Sequence, residues 1–182
     1  MRCFLAVPVP EDLAPRFAAL QRDLKVGRAL PPENLHLTLA FLGDQRDEPL
    51  VELDSALQGL ATPAFAARFG PLGAFEGPGG TSLHAELQPD PPLLALHQAI
   101  QGAVRRAGIT LERRRFRPHV TFARLSGRLA PDEAQRLARW LAARAATPVP
   151  DLPVNAVTLY RSHLRPEGSL YEPLADYPLR RV

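Results

Sequence analysis

Residues 36–43 read HLTLAFLG, and 83 residues later the pattern returns from His119 as HVTFARLS. Each copy opens with a His-x-Thr-x tetrad and continues as an apolar run of strand length, so each is expected to be a β-strand. Successive side chains of a strand point to opposite faces. His36, Thr38 and Ala40 therefore share one face, and Leu35, Leu37, Leu39 and Phe41 form the other, expected to be the core face. In the second copy His119 and Thr121 lie opposite Val120 and Phe122. The same odd spacing puts Phe41 and Arg124 on the face away from the histidines.

Working outward, the two strands sit in similar surroundings. A first strand is expected from Cys3 to Val9, then a helix capped by Asp12 with the stripe Leu13, Phe17, Leu20 and Leu24. After the His36 strand, Asp47 should cap a helix carrying Leu50, Leu53, Leu57 and Leu60. Strands near 65–75 and 81–87 follow, joined by a turn at Gly77-Pro78-Gly79-Gly80. A third helix starts at Asp90, with Leu93, Leu96, Ile100 and Val104 as its stripe and Gly108 as its stop. After the His119 strand come a helix from Pro131 and strands near 154–164 and 169–174, joined by the turn Arg165-Pro166-Glu167-Gly168. Both halves thus run helix, loop, His-x-Thr-x strand, helix, strand, turn, strand. The period is too long for a solenoid, so two lobes related by a pseudo-twofold axis are expected, about 1–90 and 91–182, with exchange of strands allowed. Such lobes would bring His36 and His119 together.

Composition sets the bounds. Hydrophobic residues make up 46% and charged ones 23%, the balance of a globular chain rather than a fibre or a disordered segment. At 182 residues one compact unit is expected. The opening apolar run is too short for a signal peptide and no run approaches a bilayer span, so a soluble cytoplasmic protein with no membrane partner is expected. Cys3 is the single cysteine, which excludes an intrachain disulfide and a cysteine-built zinc site. Net charge is +3 but uneven: residues 1–90 carry 7 basic and 12 acidic side chains, residues 91–182 carry 15 and 7. Six arginines crowd Arg105 to Arg117, which suits either a polyanionic partner or a solvated face.

Two histidines and two threonines in this pattern suit phosphoryl chemistry. Imidazole titrates near neutral pH, so one ring of a pair can accept a proton while the other donates one. A threonine two residues on points the same way and can donate a hydrogen bond to a nonbridging phosphoryl oxygen, where charge develops. Neither tetrad has an Asp, Glu or third His at ligand spacing, so no metal and no cofactor is expected. His84, His97 and His163 read as structural or solvated.

At these residues the chain resembles the 2H phosphoesterases, specifically the RNA 2′,3′-cyclic phosphodiesterases, also called 2′-5′ RNA ligases or LigT-like proteins. The resemblance covers RCFLAVPVPEDL, PPENLHLTLAFLG, RFRPHVTFARL and YRSHLRPEGSLYEPL. It implies a bilobal α+β fold with an antiparallel sheet in each lobe and the active-site cleft between them. It also implies hydrolysis of RNA or nucleotide 2′,3′-cyclic phosphates to 2′-phosphates, with His36 as proton donor, His119 as proton acceptor, and Thr38 and Thr121 on the phosphoryl oxygens. Arg124 matches a family arginine near the phosphate, against the strand spacing above. Phe41 and Tyr171 are candidate base contacts. RNA ends or cyclic nucleotides are the implied partners, a monomer is expected, and 2′-5′ joining is an associated activity. The rivals are a noncatalytic RNA-end binding module built on the arginine cluster, and the same chemistry on a non-RNA nucleotide.

Overall fold

The computed structural model describes residues 1–24, 27–77, 79–112, 115–125, 127, 129–144, 147–165 and 168–181. Pro78, Arg113, Arg114, Pro166 and Glu167, which belong to the expected turns and to the arginine cluster, lie outside the described residues.

In chain order the elements are β1 (Arg2–Pro8), α1 (Ala14–Arg22), β2 (Arg28–Ala29), a 3-10 turn (Pro32–Asn34), β3 (His36–Asp44) and α2 (Asp47–Gln58). Then come β4 (Phe65–Ala67), β5 (Phe69–Gly77), β6 (Gly80–Leu87), α3 (Pro91–Arg106), β7 (His119–Leu125), α4 (Pro131–Arg144), β8 (Leu152–Val154), β9 (Ala156–His163) and β10 (Leu170–Pro178). The helices carry the apolar stripes their spacing implied. Their caps differ from expectation. Leu13 and Arg46 hold the N-cap positions of α1 and α2, and neither makes a side-chain cap bond. Asp47 lies inside the first turn of α2, where its charge favours the positive end of the helix dipole. Asp90 does sit at the N-cap of α3, but its carboxylate pairs with Arg68.

β4 pairs with β8 in a separate two-stranded sheet, and the other eight strands form one sheet, ordered β10-β9-β1-β3-β7-β6-β5 with β2 also on β7. Every pairing within it is antiparallel. It falls into two four-stranded halves that are interleaved in sequence: β10-β9-β1-β3 uses both ends of the chain, and β5-β6-β7 with β2 uses the middle. On the first half α2 and α3 pack together, with α3 against β3 and Tyr177 of β10 donating to Asp54 of α2 at 2.8 Å. Over the second, Phe17 of α1 meets Phe69 and Phe122, and Trp140 of α4 meets Phe122. The halves join where Leu37 of β3 stands opposite Val120 of β7.

Both central strands carry a bulge one step beyond their threonine. In β3, Leu5 pairs with Ala40 while the next residue, Ala6, pairs with Thr38, leaving Leu39 extra. In β7, Leu83 pairs with Ala123 and His84 with Thr121, leaving Phe122 extra. The extra residue turns two consecutive side chains inward and reverses the alternation beyond. Ala40 and Ala123 are consequently buried, and Phe41 is 68% exposed rather than in the core. The Phe122 carbonyl at the bulge accepts from the Leu30 amide and from Gln21 Nε2, so that oxygen is not stranded. Gly27, at φ +81°, lets β2 lie this close, since a Cβ there would meet Leu125 at 2.7 Å.

Leu37 is fully buried at the junction. Replacing it by Ala should cost about 2–5 kcal/mol in urea unfolding. The exposed Val51→Ala on α2 should change stability by no more than about 0.5 kcal/mol. Equal losses would show that the junction is not the core of the fold.

Candidate active site

The junction fixes the site. Leu37 and Val120 are cross-strand partners and both point into the core. Their neighbours His36, Thr38, His119 and Thr121 must then point to the opposite face of the sheet, and all four are half-buried there. Extending the antiparallel register by one residue sets His36 diagonal to His119, a relation that places Cα atoms about 7–8 Å apart.

Each ring is held in the same way. His36 Nδ1 lies 2.8 Å from the Asn34 carbonyl, and His119 Nδ1 lies 2.6 Å from the Arg117 carbonyl. A carbonyl can only accept, so each Nδ1 carries the hydrogen and donates it. That leaves Nε2 as the nitrogen that gains or loses a proton. The Asn34 side chain in turn donates to the Ser169 carbonyl at 2.9 Å, anchoring the loop before His36 to the start of β10.

Burial sets the charge state. It pushes His36 down to about 4; the bond to Asn34 opposes this, and the positive charges of His119 and Arg124 reinforce it. His119 is also lowered, first by burial and then by Arg117 and Arg124, while the Arg117 carbonyl and the Glu86 carboxylate act in the other direction. Near neutral pH both rings of the free protein are therefore neutral. An anion between them would favour a proton on one.

The bulges decide the outer contacts. Ser82 stands opposite Arg124, and His84 opposite Thr121. Because cross-strand partners face the same way, Arg124 is on the histidine face, and strand spacing alone misplaces it. Phe41 likewise pairs with Phe4, whose ring lies 5.0 Å from His36 and 6.3 Å from Phe41. Tyr171 meets His36 edge-on at 5.2 Å and Phe4 at 4.9 Å. Tyr160 stacks on Phe4 at 5.1 Å. All seven residues singled out in the sequence are thus gathered on one face.

The structure adds neighbours that the sequence did not single out. His84, expected to be structural or solvated, is 1% exposed. It stacks on Phe75 at 3.8 Å and meets His119 at 5.2 Å. Neither ring nitrogen has a hydrogen-bond partner among the described residues. Arg117 lies over the Phe75 ring at 4.2 Å, which brings one arginine of the cluster to the rim of the site. The alternation Ser82, His84, Glu86 was the available signal, but it gains meaning only when β6 is known to flank β7. His97 stacks on Phe116 and His163 pairs with Glu172, both apart from the paired rings. Among the described residues no group of three or more His, Cys, Asp or Glu could hold a metal ion, and no helix is long and apolar enough to cross a membrane.

Paired tetrads on the two central strands of an interleaved α+β sheet define a bilobal class of protein. The chain belongs to the 2′-5′ RNA ligase superfamily, whose family model matches residues 9–166. It is similar to proteins named RNA 2′,3′-cyclic phosphodiesterase. The one from Archaeoglobus fulgidus is 26% identical over 178 residues, covering 96% of this chain and 98% of the relative. The one from Thermus thermophilus is 31% identical over 192 residues, covering 99% and 91%. A solved structure of a Thermus thermophilus protein superposes with a TM-score of 0.76 at 26% identity, over 100% of this chain and 99% of that one. E. coli LigT complexed with 3′-AMP shares the fold, with a TM-score of 0.72 at 24% identity over 98% and 96%.

The buried rings couple folding to pH. An unfolded histidine takes its proton near 6.5, whereas His36 and His84 in the folded chain do so only at about 4. Between these values the unfolded state binds more protons, so stability is full above about pH 6.5 and falls as pH drops toward 4. Each ring contributes up to about 1.4 kcal/mol per pH unit in that window. His84→Phe should remove its share of the slope in urea midpoints measured between pH 7 and 4.5. An unchanged slope would contradict burial of a neutral His84.

Proposed function

We propose that the chain hydrolyses the 2′,3′-cyclic phosphate of RNA ends or nucleotides to a 2′-phosphate. The observation that carries this reading is the cross-strand pair Leu37–Val120, which turns two imidazoles, each held through Nδ1, and two threonines onto one face. Relatives named for this activity support it across nearly the whole chain.

In the reaction, His119 Nε2 takes a proton from water and the oxygen attacks phosphorus in line with O3′. The P–O3′ bond breaks, His36 Nε2–H gives its proton to O3′, and the 2′-phosphate remains. Thr38 and Thr121 donate to the nonbridging oxygens, where charge builds, and the Arg124 guanidinium neutralises it. The anionic ester itself opposes the burial that keeps His36 neutral, so the donor is charged when substrate is in place. Phe41 and Tyr171, which both meet the Phe4 ring, offer a stacking surface for the base. The 5′-hydroxyl of a second strand in place of water would give a 2′-5′ phosphodiester by the same two transfers. The reading is of a cytoplasmic monomer that uses the two imidazoles, and no cofactor, for both proton transfers.

The noncatalytic alternative draws on Arg105 to Arg117, of which Arg105, Arg106, Arg115 and Arg117 are exposed. It predicts salt-sensitive RNA binding without product. Incubation with a 2′,3′-cyclic mononucleotide in excess chelator should yield the 2′-nucleotide. His36→Ala and His119→Ala should each lower kcat by about 10²–10⁴-fold. A 3′-nucleotide product, or wild-type rates in both variants, would overturn the assignment.

A further inference from the structure

The two imidazoles occupy equivalent places: the same strand position, the same bulge beyond, and the same Nδ1 bond to a carbonyl two residues upstream. Their cross-strand neighbours are not equivalent. Pro8 of β1 stands opposite His36, whereas Glu86 of β6 stands opposite His119. Opposite the two threonines stand Ala6 and His84. His36 is enclosed by the rings of Phe4, Tyr160 and Tyr171. His119 has Phe75 from β5, His84 and Glu86 from β6, Arg124 on its own strand, Arg117 just before it, and His36 across the junction.

We propose that Glu86 is a positioning residue that widens the difference between the paired imidazoles, acting through His119 to keep it the stronger base of the two. The proposal rests on the reading of His119 as proton acceptor and goes beyond it by saying what sets its strength. Glu86 is the anion among the charged groups named around His119, and direct cross-strand partners have Cβ atoms about 4.5–5.5 Å apart. Its charge opposes Arg117 and Arg124, which both disfavour a proton on His119. His84 does not neutralise it: the ring is fully buried, stays uncharged until about pH 4, and holds Nε2 3.7 Å from Glu86 Oε1, beyond hydrogen-bond reach. Gly73 on β5 makes room for this arrangement, since a Cβ there would lie 2.8 Å from His84 Nε2. The Glu86 side chain is 42% exposed, so water screens it and the effect is moderate.

The test is an NMR titration of the imidazole resonances in the free protein, wild type against Glu86→Gln, an exposed substitution that keeps size and shape. His119 should titrate above His36 in the wild type and move down by about 0.5–1 pH unit in the variant, while His36 stays in place. At a pH above both titrations, kcat on a 2′,3′-cyclic mononucleotide should fall about two- to threefold with KM unchanged, as expected for a weaker base. A His119 titration that overlays the wild-type curve, or a wild-type His36 that titrates above His119, would overturn the proposal. A His119→Ala variant with full activity would instead remove the acceptor reading, whatever the titration shows.

Discussion

The site depends on one cross-strand contact between apolar side chains. Leu37 and Val120 are buried side by side where the two halves of the sheet meet, and because strand side chains alternate, their burial obliges both histidines and both threonines to face the other way. A register slip of one residue in either strand would bury an imidazole and expose a leucine or valine. Hydrophobic burial thus holds the polar groups in place, and no polar contact between the two tetrads is needed to align them.

That constraint works together with two bulges. The insertion of Leu39 and of Phe122 into otherwise regular ladders reverses the alternation after each threonine, so the fifth residue beyond each histidine returns to the histidine face. At that position the two halves diverge in chemistry: one presents the exposed ring of Phe41, the other the guanidinium of Arg124. The two halves of the sheet therefore offer an apolar side and a cationic side around the paired histidines. The same divergence recurs one strand further out, with Pro8 and Ala6 on β1 against Glu86 and His84 on β6.

Much of this was legible in the chain. The tetrads, the repeated order of elements and the apolar stripes of the helices follow from periodicity, since burial of one face leaves a visible pattern. The bulges do not, because one inserted residue changes the phase without changing the composition; for that reason spacing assigned Phe41 to the core and Arg124 to the wrong face. Nor does sequence order reveal that β6 lies beside β7, which is a tertiary pairing. Only that pairing gives His84 and Glu86 their place beside His119. Two helix starts also differ by one residue: Leu13 and Arg46, not Asp12 and Asp47, hold the N-cap positions of α1 and α2, while Asp90 starts α3 as its sequence implies.

On the proposed reading, the two halves of the sheet share one phosphate between His36 Nε2 and His119 Nε2. A crystal structure of the chain with the 2′-phosphate of a mononucleotide tests it most directly. The expected result is a single phosphate with His36 Nε2 and His119 Nε2 each about 2.6–3.2 Å from one of its oxygens, and with the hydroxyls of Thr38 and Thr121 on the others. A phosphate held by one histidine alone, or bound away from the Leu37–Val120 junction, would contradict it.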